Sequence, residues 1–192
     1  MIFEVLQVIK EEVNGYFEGN PVSLDNIATI DSDTGDGNNG AGDIILSLLN
    51  MQEEVTLKNV PNSYINGTKV TYKNPKIYLN LYILFSANSN TYEESLKSIS
   101  KIIEFFQAKK VFTQDNTSYD RDLEGMEKLK NFKFNVDFFT PSFEELNYIW
   151  GTLGGKQYPS LIYKVSVLEI ERNVTAKEGP VIIEVNNILK RN

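Results

Sequence analysis

Between Lys76 and Ala87 apolar residues occupy every second position: Ile77, Leu79, Leu81, Ile83 and Phe85, with Tyr78, Asn80, Tyr82, Leu84 and Ser86 between them. Successive side chains of a strand point to opposite faces, so this alternation predicts a central strand with one dry face. Just beyond it, Thr91-Tyr92-Glu93-Glu94 has the form of a capping box. In such a box the Thr hydroxyl and the Glu carboxylate each accept an otherwise unpaired backbone N–H. Tyr92, Leu96, Ile99, Ile103 and Phe106 then recur at helical spacing, and the helix is expected to end near Lys110, with Glu93 and Lys97 paired on its wet side. A strand feeding directly into a capped amphipathic helix limits the chain to folds in which helices lie on a sheet.

The remaining segments fit that frame. Ile2, Val5, Leu6, Ile9, Val13 and Phe17 predict an amphipathic helix over residues 2–18, closed by Gly19-Asn20-Pro21. Val22–Ile30 reads as extended, and Asp31–Asp43, rich in Gly, Asp and Asn, as a flexible loop without apolar anchors. Ile44–Leu57 fits a helix or a strand on periodicity alone. Phe132, Phe134, Val136 and Phe138 alternate with Lys133, Asn135 and Asp137 as a second strand, ended by Thr140-Pro141. Ser142-Phe143-Glu144-Glu145 is a second capping box. It opens a short helix with Phe143, Leu146, Ile149, Trp150 and Leu153 expected inward and Gly154-Gly155 beyond its end. Leu161, Tyr163, Val165 and Val167 form a further strand whose apolar phase switches at Leu168 and Ile170, as at a bulge or where a strand leaves its sheet. The expected fold class is α+β, a single mixed sheet covered by two or three helices. Residues 1–173 form the domain, and 174–192, set off by the polar stretch Glu171–Gly179, form a C-terminal arm or edge strand.

Among its 192 residues the chain has neither Cys nor His. That excludes a Cys nucleophile, a Ser-His-Asp triad, imidazole or thiolate metal ligation and disulfides. The same lack of Cys reads as manufacture in a reducing compartment, the cytosol. A formal charge of −7 without a Lys/Arg cluster argues against nucleic acid as partner. No apolar run approaches the ~18 residues of a membrane span, and the N-terminus does not read as a secretory signal. Glu144 and Glu145 are not expected to act as a catalytic carboxylate pair, since neighbours on a helix point apart and Glu145 has a capping role. Asp31-x-Asp33 resembles the start of a calcium loop, but Asp36 and Gly42 stand where a Gly and a bidentate Glu are needed. Gly151–Lys156 fails the phosphate-loop spacing and reads as a helix C-cap. No catalytic, cofactor or metal residues are therefore assigned.

The stretch Asn74–Arg172 resembles the conserved N-terminal domain of the cap proteins of antifeeding-prophage-like extracellular contractile injection systems. The resemblance is carried by Asn74–Ala87, by Tyr92–Leu96 and Phe105–Gln107 at the two ends of the long helix, and above all by Thr140–Tyr163. Met1–Phe17 and Asn59 resemble the family's opening helix and the residue closing its second strand. The resemblance implies a phage tail-terminator-like domain that forms a ring, of six copies, on the last ring of an inner tube and sheath. It also implies a strand for Ile44–Leu57, and assembly in the bacterial cytoplasm into a tail-like particle. Longer relatives carry a further C-terminal region.

On this reading the chain is a structural subunit and not an enzyme. Its expected partners are further copies of itself, tube and sheath subunits, and a paralogous cap protein, with no nucleic acid and no membrane. Candidate interface residues are Tyr78 and Tyr82, half-polar aromatics on one side of the central strand, and Val181, Ile183, Val185 and Ile188 of the C-terminal segment. Packing of the Tyr stripe under a local helix is the alternative for the first pair. A calcium-dependent surface-binding module built on Asp31–Asp43 is the alternative function.

Overall fold

The structure, a computed structural model, describes residues 1–33, 43–57, 63–66, 69–74, 76–126, 129, 132–170 and 175–180. In chain order its elements are α1 (Ile2–Tyr16), β1 (Val22–Leu24), β2 (Ile44–Glu53), β3 (Ser63–Asn66), β4 (Lys69–Lys73), β5 (Ile77–Ala87), α2 (Tyr92–Ala108), β6 (Val111–Thr113), β7 (Lys133–Phe139), α3 (Phe143–Thr152), β8 (Ser160–Ile170) and β9 (Thr175–Pro180). Short 3-10 turns stand at Ile27–Asp33 and Val55–Leu57. The chain divides into two compact units, one of Met1–Glu53 with Leu79–Leu168 and the other of Glu54–Tyr78 with Glu169–Asn192.

The first unit is the α+β arrangement expected from the sequence, a six-stranded mixed sheet with three helices. Its strand order is β1-β2-β5-β8-β7-β6, with β1 parallel to β2 and the pairs β2–β5, β7–β8 and β6–β7 antiparallel. Strand β5 lies at the centre, as its alternation predicts. Odd positions Leu81, Ile83 and Phe85 join Ile44, Leu46, Phe134, Val136, Tyr163 and Val165 in one core beneath α1 and α2. The opposite face is dry as well. Leu84 joins Ile45, Ile162 and Ile27 beneath Trp150, Leu146 and Ile149 of α3. The one-dry-face reading of β5 is therefore corrected: Leu84 and Ser86 are fully buried because α3 covers the side that an isolated strand would leave wet.

Both capping boxes form. Thr91 Oγ1 accepts the Glu94 N–H at 3.2 Å while Glu94 Oε2 accepts the Thr91 N–H at 3.2 Å. Ser142 and Glu145 make the same exchange at 3.2 and 2.8 Å. At the end of α3, Gly154 and Gly155 take φ of +102° and +80°, a left-handed turn that a side chain would strain. Ile44–Glu53 is a strand, in line with the resemblance, and a register shift between Leu48 and Asn50 leaves Leu49 as an extra residue against β5. Ile27–Ile30, expected to be extended, belongs to a 3-10 turn instead. Ser47 imposes it, its hydroxyl accepting the Ile27 N–H at 3.1 Å and donating to the Asp25 carbonyl at 2.6 Å. Of the expected loop Asp31–Asp43, residues 34–42 lie outside the described residues.

The second unit contains an antiparallel sheet of order β3-β4-β9, of which β3 and β4 were not expected from the sequence. Asn66 pairs with Lys69, and the Asn66-Gly67 dipeptide between two short β-branched and aromatic runs is a hairpin signal. Thr175–Pro180, where the polar break overlaps the segment expected as an arm or edge strand, pairs with Lys69–Lys73 as β9 at the edge of this sheet. Its composition is poor for a strand, so the partner's backbone hydrogen bonds decide its conformation. The chain passes from the first unit to the second at Leu168, the position at which the apolar phase of β8 switches.

Tyr163 sits at the aromatic centre of the first unit, its ring centroid 4.4 Å from Phe106 and 5.3 Å from Phe138. Burial pushes its phenol from 10.0 up to about 12. A raised folded-state value contributes nothing adverse below the unfolded pKa; as pH climbs from about 10 to about 12 the unfolded phenol ionises first, and stability falls by up to ~2–3 kcal/mol. Tyr163→Phe should flatten the denaturation midpoint over that alkaline window relative to the parent chain. Equal alkaline slopes for the two proteins would contradict it.

Candidate assembly surface

The structure treats the candidate residues differently. Tyr82 is half-buried on the α3 side of β5, edge-on to Phe139 with ring centroids 5.1 Å apart, and its hydroxyl donates to Gln52 Oε1 at 3.2 Å. Most of its ring is thus satisfied within the first unit. Tyr78 belongs to the second unit, is half-buried, and its carbonyl accepts the Glu54 N–H at 2.8 Å. Val181, Ile183, Val185 and Ile188 lie outside the described residues.

The apolar surface of the first unit lies elsewhere, where β7 ends and α3 begins. Phe143 is 91% exposed and Phe138 55% exposed. Phe143 was expected inward, and that reading is corrected. Phe143 has helical phase with Leu146 and Trp150, but it is the first residue of α3, where the capping turn lifts the chain off the sheet and carries its ring into solvent. Phe138 keeps the phase of Phe134 and Val136, but the cover over that face thins toward the end of β7, so its ring meets Tyr163 on one side only. Between them runs a groove of about 350 Å³, lined by Phe138, Phe139, Pro141, Phe143, Leu146 and Leu161 among others. Tyr148, five residues further along α3 and 65% exposed, donates its hydroxyl to Glu144 Oε1 at 3.4 Å.

This arrangement offers apolar contact area and no reactive constellation. Glu145 is committed to its cap and Glu144 faces Tyr148. Asp31 and Asp33 lie in the 3-10 turn, while Asp36 and Gly42 are outside the described residues. Among the described residues no group of three or more Asp or Glu side chains could hold a metal ion, and no helix is long and apolar enough to cross a membrane.

This fold is shared with two solved structures. A sheath/tube terminator of the extracellular contractile injection system PVC, solved in its extended state, superimposes with a TM-score of 0.61 at 13% identity, over 100% of this chain and 64% of its own. The tube-terminating cap of the anti-feeding prophage gives 0.59 at 14% identity, over 98% and 62%. The chain thus spans less than two thirds of the length of either structure. No curated protein matches the sequence. The family model described as the Pvc16 N-terminal domain matches residues 4–184, and the chain belongs to that family.

Proposed function

We propose that this chain is a structural cap subunit that forms a ring, of six copies, on the end of a contractile injection particle and stops growth of its inner tube and sheath. The observation that carries the proposal is the family match over residues 4–184, with the shared fold of two tube-terminating proteins beside it. A terminator has to reproduce the symmetry of the ring it ends and needs surface for its neighbours rather than a reaction centre. The exposed Phe138–Phe143 lip suits such contact, since apolar aromatic anchors carry much of the binding energy of protein interfaces. Tyr78 and Tyr82 remain secondary candidates. In this reading the part of 174–192 that follows β9 reaches a neighbour as an arm, with Val181, Ile183, Val185 and Ile188 as its apolar contacts.

Particles assembled without this chain, viewed by negative-stain electron microscopy, should show tubes of uncontrolled length or sheath ends that come apart. Particles of normal length with intact ends would overturn the proposal. No observation among the described residues favours the calcium-binding alternative.

A further inference from the structure

We infer that Asn116 and Asn14 close the two outer edges of the six-stranded sheet against strand addition, so that copies of this chain meet through side-chain surfaces and not by extending this sheet. The strand order leaves β6 and β1 as the edges. In β6, Phe112 pairs with Phe134, and the Lys110 carbonyl accepts the Val136 N–H at 2.8 Å, so Val111 and Thr113 turn their backbone groups outward. One side chain occupies that outward row. Asn116 Oδ1 accepts the Thr113 N–H at 2.8 Å, Asn116 Nδ2 donates to the Val111 carbonyl at 2.9 Å, and the Asn116 N–H reaches the Thr113 carbonyl at 3.3 Å. The carboxamide has the donor and acceptor of a peptide group, and here it stands where the peptide of an added strand would stand.

Asn116 is itself held. Lys109 Nζ donates to its carbonyl at 2.6 Å and to Glu12 Oε2 on α1 at 2.5 Å. At the opposite edge the same device recurs from another element. The Pro21 carbonyl accepts the Ile44 N–H, which turns Val22 outward, and the buried Asn14 of α1 takes both Val22 groups: Oδ1 accepts its N–H at 2.8 Å and Nδ2 donates to its carbonyl at 2.9 Å. Two edges, two elements and one residue type serve the same end. An open row of strand N–H and C=O groups is a template for pairing with another chain, and a sheet with two such edges pairs head to tail into open filaments wherever the rotation does not close. The inference stands whether or not the chain caps a tube, and its test requires no particle.

Asn116 is exposed, so it can be changed without opening the core. In the full chain, Asn116→Ala should raise the self-association constant measured by sedimentation velocity about tenfold, the return on two recovered strand hydrogen bonds. The Val111 amide, outward in the parent, should become protected from hydrogen exchange as concentration rises. Asn116→Asp, which retains the acceptor for Thr113 and places a charge on the edge, should associate no more than the parent. Should Asn116→Ala fail to fold, Asn116→Ser carries the same expectations, its side chain being too short to reach both groups. Association and Val111 exchange unchanged from the parent, whatever the melting temperature, would overturn the inference, as would Asn116→Asp associating as strongly as the alanine variant.

Discussion

Phe85→Ala is expected to destabilise the first unit by about 3–5 kcal/mol, the range for emptying a buried aromatic site. Phe85 is fully buried at the centre of β5, with Phe106 of α2 and Tyr163 of β8 at ring-centroid distances of 5.7 and 6.0 Å. Its neighbours cannot collapse inward readily. Phe106 is itself packed among Phe105, Phe112 and Tyr163, and β2 is held in register beside Phe85. For a chain of this length that loss lowers the melting temperature by roughly 6–20 °C. Calorimetry of the two proteins measures it directly. A fall of only a degree or two would show that the aromatic cluster is not the keystone of this core.

The second large effect concerns association and not stability. Phe143→Ser should leave chemical denaturation within about 0.5 kcal/mol of the parent, since a side chain 91% exposed has little native contact to lose and Ser142 keeps its cap. If the Phe138–Phe143 lip contacts a neighbouring subunit, the same change should weaken ring formation or docking on tube ends by about 2 kcal/mol, roughly 30-fold. Pull-down on purified tubes together with sedimentation of the free protein separates the two readouts. Unaltered docking and association would remove the lip from the interface.

The elements that could be read in the sequence are those whose information is local. The alternation through β5, the two capping boxes with their helices, and the glycines that close α3 each rest on residues within a few positions of one another, and each appears where expected. Family likeness resolved Ile44–Glu53 into a strand where periodicity could not. Other elements depended on partners distant in sequence. Thr175–Pro180 is a strand because β4 pairs with it, and Ile27 turns because Ser47 takes its N–H. Val111–Thr113 is too short to show a period, and it stands as an edge strand because β7 pairs with it and Asn116 covers its outer side.

The candidate surface divides along the same line. Sequence alone determined that this chain lacks the residues for thiol or imidazole chemistry, that it carries helices on a sheet, and that its large side chains are mainly aromatic. It could not say which aromatics stay dry, because helical or strand phase assigns a residue to a face and not to a depth beneath a cover. Phe134 and Phe138 share a phase, as do Phe143 and Trp150, yet one of each pair is buried and the other exposed. Only the tertiary structure, by setting where α2 and α3 end relative to the strands beneath them, decided that Phe138 and Phe143 face solvent while Tyr82 finds its partners within the unit.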